Sequence, residues 1–306
     1  MKTFTSFAKE CISQLYADGR IPCAHLYHNA LRSFSEFRST PRVYFQDINV
    51  ENLKSYETYL RDRHKLPNTI STYMRNLRAI YNKGVDCGYA VYVHNLFHHV
   101  YTGVDSSHKK CIDAKQLQSL LYTPVADCRL HTTQLTARML FELLGMSFAD
   151  LSHLRPENLQ NSHLRYSRMK TGTNISVDIM KSTDKTLRYL SAGSAENCYL
   201  LHFLSGRYQI HSKAGYREYH SALRLLNNRL QRLAAHLGIK PRVSSYTFRH
   251  TWASMALRRH IPIEQISSAL GHKSIKTTQI YLNGFSAHEL ASANRKVCMF
   301  AQRATV

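Results

Sequence analysis

Acidic residues are scarce in this chain. Twenty Asp and Glu stand against forty-one Lys and Arg, which leaves a formal net charge of +21 and a pI near 9.8. Such a balance argues against a binder of cations or basic partners and for a protein that meets a polyanion. The basic residues run through folded-looking sequence and are not confined to a tail, so nucleic acid is the expected partner. Paired cysteines are lacking too. The seven cysteines (Cys11, Cys23, Cys87, Cys111, Cys128, Cys198, Cys298) are odd in number, scattered, and never spaced CxxC. This excludes a zinc-ribbon or disulfide framework and suits a reducing interior. Eighteen histidines include no HExxH, so no metal or other cofactor is called for. No apolar run approaches the ~18 residues of a membrane span. The opening MKTFTSFAKE lacks the apolar core of a secretion signal, so a cytoplasmic protein working on the bacterial nucleoid, with no membrane partner, is expected.

What is present is ordinary in hydrophobic content, 43%, and long for one domain at 306 residues. Two unequal domains are expected: 1–88, a linker at 89–111, and 112–306. The first reads as four helices. Residues 4 to 17 carry Phe4, Phe7, Ile12 and Leu15 at helical spacing, and Pro22 opens a helix to residue 37 after the turn ADGRIP. A third runs from about Val50 to His64, and Pro67 starts a fourth. On that fourth helix Ile70, Tyr73, Met74, Leu77, Ile80 and Tyr81 form an apolar stripe, and Ser71, Thr72, Arg75 and Arg78 are expected on the other face, with Lys83 near the end. This face is either simply solvated or lies in a DNA groove, where short polar residues and arginines contact phosphates and bases.

Residues 89 to 111 lack periodicity and read as a linker; Asp113 then caps a new helix. The second domain reads as mainly helical, with one β-hairpin from HLRYSRM and NISVDIM around KTGT. The chain is therefore mainly α with a small sheet, an α+β class. Lys170 sits at the hairpin tip, a signal that is weak alone, and Arg168 beside it is a candidate DNA contact.

Chemistry concentrates in SSYTFRHTWASMALRRHIPIEQISSALGHKSIKTTQIYL. Ser245 or Thr247 can cap a helix that carries Arg249 in its first turn. Helix dipoles disfavour cations there, so a nearby anion is expected to offset it. The glycine turn before His272 has the pattern of a helix-turn-helix, which would make the protein a DNA-binding regulator. Phosphoryl transfer at a DNA phosphodiester accounts for more of the chain. It needs cations on the non-bridging oxygens and an acid for the leaving 5′ oxygen. A tyrosine can serve as nucleophile because its phosphate ester conserves bond energy for reversal.

RHTWAS followed by LGHKSIKTTQIYL resembles the box II region of the tyrosine recombinase (phage integrase) family. YSRMKTG resembles the family's catalytic-lysine hairpin, and LLGMSFADLSHLRPENL its box I, in the form found in Bacteroidetes-type integrases and invertases. The likeness spans about residues 113 to 300 and, more weakly, a helical N-terminal core-DNA-binding (SAM-like) domain. It implies a C-shaped clamp on double-stranded recombination sites, and four subunits on DNA from a monomer or weak dimer. Accessory DNA-bending proteins are further expected partners. It also implies roles: Tyr281 as nucleophile forming a 3′-phosphotyrosine, Arg249 and His272 on the scissile phosphate, and Lys170 as general acid. Tyr246 stands where the family usually has histidine, as a hydrogen-bond donor. Integration, excision and inversion are all open outcomes; no extra arm-binding domain is seen, which suits a compact recombinase or invertase.

One departure is larger. The box I arginine is expected at Leu144 or Ser147, and neither is arginine. Ser147 with Asp150 instead forms a capping signature. Arg138 is nearest but points about 120° away on an unbroken helix; Arg155 sits where relatives carry a non-catalytic arginine. The alternative is then a degenerate member that binds its site without cutting. The tail after Tyr281, with Leu290, Ala293, Val297 and Phe300, is expected to be a helix that docks on a neighbouring subunit.

Overall fold

The computed structural model describes residues 2–105, 111–192, 198–240 and 242–279, with residues 291, 294, 295, 298, 299 and 302 beyond. The chain forms two compact units, Met1–Ser107 with Tyr208–Arg217, and His108–Arg207 with Glu218–Val306.

The first unit is helical. α1 (Phe4–Ala17) starts where Thr3 Oγ1 accepts the Ser6 amide at 3.1 Å, and α2 (Ile21–Phe37) has Pro22 in its first turn. The side chain of Asn49 caps α3 (Val50–Asp62), and α4 (Pro67–Asp86) again begins on proline, which has no amide to leave unpaired. Phe4, Phe34, Leu53, Tyr56, Ile70, Met74, Leu77 and Ile80 are fully buried where these helices meet. The expected linker does not behave as one. Leu96, Phe97 and Val100 are buried in the same core, and Tyr101 N donates to Glu57 Oε2 at 3.0 Å. These apolar side chains lie in turns, so no period marked them. Asn68 further ties α4 to Asp105, through bonds of 2.8 and 2.9 Å. Tyr208–Arg217 belongs here as well: Tyr216 stacks on His25 at 5.0 Å and Lys213 Nζ lies 3.9 Å from the Tyr16 ring centroid.

The second unit opens with α5 (Ala114–Tyr122), whose Asp113 accepts the Gln116 amide as expected. α6 (Cys128–Glu142) and α7 (Phe148–Ser152) follow, then an antiparallel sheet in the order β1 (Leu159–Gln160), β2 (His163–Ser167), β3 (Asn174–Asp178). The hairpin has the expected strands, with Tyr166 opposite Ile175 and Ser167 opposite Asn174; β1, two residues long, is too short to leave a pattern. α8 (Lys181–Ser191), α9 (Lys213–His236), α10 (Ser245–Arg258), α11 (Ile263–Ala269) and α12 (Ile275–Gln279) complete the described elements. Leu140, Leu143, Leu151, Leu164, Leu230 and Phe248 centre its core, and a smaller cluster of Ala253, Ala256, Ile266 and Leu270 joins α10 to α11. Among the described residues no helix is long and apolar enough to cross a membrane.

Candidate active site

The site is assembled by three turns of the second unit. The first, between α6 and α7, takes Leu144 and Gly145 through the left-handed region at φ of +58° and +64°. A leucine there costs about 1–2 kcal/mol, so the turn is strained. Its product is a carbonyl: Gly145 O accepts from Arg249 Nη1 at 3.0 Å. A side chain on Gly145 would meet Arg249 Cα at 3.1 Å, so glycine permits the approach.

Arg249 is 2% exposed. Ser244, not Ser245 or Thr247, is the N-cap of α10, which makes Arg249 the fifth helical residue and places it beyond the first turn. The expected conflict with the helix dipole therefore falls away, since the effect fades after one turn. Backbone carbonyls receive the charge instead: besides Gly145 O, Leu270 O accepts from Nη2 at 2.5 Å. Nη2 also lies 3.2 Å from His272 Nε2, and His272 Nδ1 lies 2.9 Å from Thr278 Oγ1. His272 is half-buried on the turn after α11, where Gly271 takes φ of +62°.

The third turn is the hairpin. Lys170 stands exposed at its tip. Arg168, expected as a surface DNA contact, is 5% exposed. Its Nη1 donates to Gly271 O at 2.9 Å and its Nε lies 3.8 Å from Asp150 Oδ2. Burial, and then the charge of Arg249, hold its guanidinium below the usual arginine range. Alternation could have revealed this: Leu164, Tyr166 and Arg168 share the inward face of a strand whose outward neighbours are Arg165 and Ser167. Tyr166 has its phenol pushed up, by burial first and by Asp150 next.

Asp150 is the carboxylate that sequence reasoning left as a mere cap. It is 4% exposed, accepts from Ser147 Oγ at 2.7 Å and from Met169 N at 2.9 Å, and so links the box I turn to the hairpin. The capping expectation itself holds, with Ser147 Oγ accepting the Asp150 amide at 3.2 Å. Tyr246 is 45% exposed, its ring edge-on to His250 at 4.8 Å, and both line a cavity of about 420 Å³ with Asn227, Asn228, Gln231 and Arg242. Tyr281 and the tail positions Leu290, Ala293, Val297 and Phe300 lie outside the described residues.

On α4, Arg75, Arg78 and Lys83 are exposed, as a binding face requires. Thr72 is half-buried and its hydroxyl donates back to Asn68 O at 2.7 Å. Ser71 is fully buried and cannot contact DNA. It lies only about 60° round the helix from Met74, inside the edge of the apolar stripe.

The chain thus has a helical unit followed by an α+β unit whose turns converge on buried arginines. Residues 3–98 match the phage integrase SAM-like domain, and residues 110–288 match the phage integrase family. The second match covers more than half of the sequence, and the chain belongs to the phage integrase family. The tyrosine recombinase XerA of Saccharolobus solfataricus is 28% identical over 180 residues, 56% of this chain and 51% of that protein. The chain thus spans about half the length of this curated relative. Two solved structures share the fold. XerH site-specific recombinase bound to palindromic difH substrate, in a post-cleavage complex, aligns at a TM-score of 0.66 with 16% identity, over 89% of this chain and 78% of that one. The Tn1549 transposon integrase in complex with a circular intermediate DNA aligns at 0.64 with 11% identity, over 97% and 100%.

Proposed function

We propose that this protein is a site-specific DNA recombinase that cuts and rejoins double-stranded DNA through a 3′-phosphotyrosine, using side-chain cations in place of a metal. The observation that supports it most is the buried guanidinium of Arg249, 3.2 Å from His272, on the turn that leads toward Tyr281. Tyr281 Oη attacks the scissile phosphorus, the bond to the 5′ oxygen breaks, and Lys170 Nζ gives that oxygen its proton. Arg249, held in place by His272, takes the charge on the non-bridging oxygens, with Tyr246 as a further donor. The aryl ester keeps the bond energy, so a 5′ hydroxyl of a second strand can attack the phosphorus and release Tyr281. The first unit, Met1–Ser107 with Tyr208–Arg217, acts as the core-DNA-binding domain and the second as the catalytic one. Its partners are recombination sites, on which four copies assemble through the tail after Tyr281, assisted by DNA-bending proteins. It acts in the cytoplasm.

A nicked suicide duplex tests the reading. The wild-type protein should form a covalent adduct on denaturing gels, unaffected by EDTA and lost in Tyr281→Phe. The alternative, a member that binds without cutting, has its motive in Ser147 and Leu144 at the box I positions. Tight binding with no adduct would establish it.

A further inference from the structure

We infer that Arg168 supplies the second phosphate-holding guanidinium that box I lacks, beside Arg249 on the same scissile phosphodiester; the assignment of that ligand rests on the recombinase reading above. Three features of the fold carry it. The first is place. Ser147 and Arg168 meet on one carboxylate oxygen, Asp150 Oδ2, at 2.7 and 3.8 Å. A guanidinium therefore does reach the box I turn, but from the hairpin and not from the turn's own sequence. The second is register with Arg249. The two arginines donate to successive carbonyls of one turn, Arg249 to Leu270 O and Arg168 to Gly271 O. Gly271 is needed for this, because a Cβ there would come within 2.8 Å of Arg168 Cδ.

The third is charge. Arg249, Arg168 and Asp150 are each at least 95% buried, and they sum to one uncompensated positive charge. Burial of like charges side by side is unfavourable unless an anion enters. The Nε atoms of both arginines have no hydrogen-bond partner among the described residues, Arg168 Nε standing 3.8 Å from Asp150 Oδ2, so donors remain for it. The two arginines that lie nearest box I in the sequence are engaged elsewhere. Arg138 pairs with Glu142 at 3.3 Å and covers the Tyr122 ring, and Arg155 is half exposed beside Glu157 at 3.7 Å. The rival account is that Arg168 only clamps the Gly271 turn.

Two measurements on the full chain decide between them. In the first, inorganic phosphate is titrated against chloride of equal ionic strength while thermal unfolding is followed. Phosphate should raise the wild-type Tm, do so equally in Arg165→Ala (the exposed neighbour on the same strand), and fail to do so in Arg168→Met. No phosphate effect in the wild type, or an undiminished one in folded Arg168→Met, overturns the assignment. In the second, adduct formation is timed on a selected DNA site carrying either the native scissile phosphate or a neutral methylphosphonate. Arg168→Met should be slower by about 10²–10³ on the phosphate and by no more than about tenfold on the methylphosphonate, which develops less charge to hold. Equal losses on both substrates mean a positioning role only. Should Arg168→Met not fold, Arg168→Lys enters the same comparisons, with the charge kept and the fork lost; the losses should be of the same sign and smaller. If the wild type forms no adduct, the recombinase reading fails, and the phosphate titration alone decides whether Arg168 is an oxyanion ligand.

Discussion

Arg249 and His272 fix each other's hydrogen-bonding roles. A guanidinium has no acceptor, so at 3.2 Å His272 Nε2 must accept from Nη2. The imidazole then carries its proton on Nδ1, which donates to Thr278 Oγ1 at 2.9 Å. Thr278 is 1% exposed, so its hydroxyl cannot be replaced there by bulk water. Thr278→Val keeps the shape and removes the acceptor. It should cost about 1–2 kcal/mol in urea unfolding, the usual penalty for a donor left without its partner. Each 1.4 kcal/mol of that loss carried into the reacting state slows adduct formation about tenfold. Nitrogen-15 chemical shifts of His272 report the tautomer directly; an Nε2-protonated wild type would refute the arrangement.

Why some of this was legible in the sequence, and some not, comes down to the range of each interaction. Pro22, Pro67, Asp113 and the Ser147–Asp150 pair are local signals, and the elements start where they indicate. The hairpin was equally plain, because alternation and the KTGT turn agree. Long-range packing left no such mark. Leu96 and Phe97 are isolated apolar residues in turns, and Tyr208–Arg217 joins a unit whose other residues end at Ser107. At the candidate site, Lys170, Arg249 and His272 were singled out through family motifs, whereas Arg168 was placed on the surface because its charge was read before its strand register. The Arg249 dipole argument failed by a single residue of cap assignment, Ser244 for Ser245.

On α4, burial separates the residues that can reach a phosphate from those that cannot. Arg75 and Arg78 are exposed, and Ser71 is fully buried with its hydroxyl unpartnered among the described residues. Each phosphate contact contributes about −0.9 to the slope of log K against log salt. Arg75→Ala and Arg78→Ala should each flatten that slope by about 0.9, and the double variant by about 1.8, with unfolding midpoints unchanged. Ser71→Ala should leave both the slope and the affinity alone. Fluorescence anisotropy on a labelled site, from low to moderate salt, makes the comparison; unchanged slopes in both arginine variants would remove α4 from the interface.

Alkaline stability reports on the first unit independently of DNA. Tyr56 is fully buried and its phenol donates to Ser33 Oγ at 2.7 Å; burial pushes the phenol well above its ordinary range. A group whose folded pKa is raised contributes stability that is whole below the unfolded pKa and is lost as pH rises above it. The decline should therefore begin near pH ~10, where an unfolded tyrosine ionises. Tyr56→Phe should lose about 1 kcal/mol at neutral pH through the missing hydrogen bond. It should also flatten the alkaline limb in urea unfolding between pH 8 and 11. A limb of unchanged steepness would assign the decline to other groups.

The proton given to the leaving oxygen tests Lys170, which stands exposed at the hairpin tip two residues beyond buried Arg168. A general acid contributes about 10²–10⁴ in rate, because an alkoxide is a poor leaving group without its proton. Lys170→Ala should therefore slow adduct formation by that order on an ordinary suicide duplex. A substrate whose bridging 5′ oxygen is replaced by sulfur leaves as a thiolate, which needs no proton. On it, Lys170→Ala should approach the wild-type rate, whereas Arg249→Ala should stay slow, since the non-bridging oxygens still gather charge. If sulfur fails to rescue Lys170→Ala, the lysine holds phosphate or positions DNA, and the acid must be sought among the other groups around the turn.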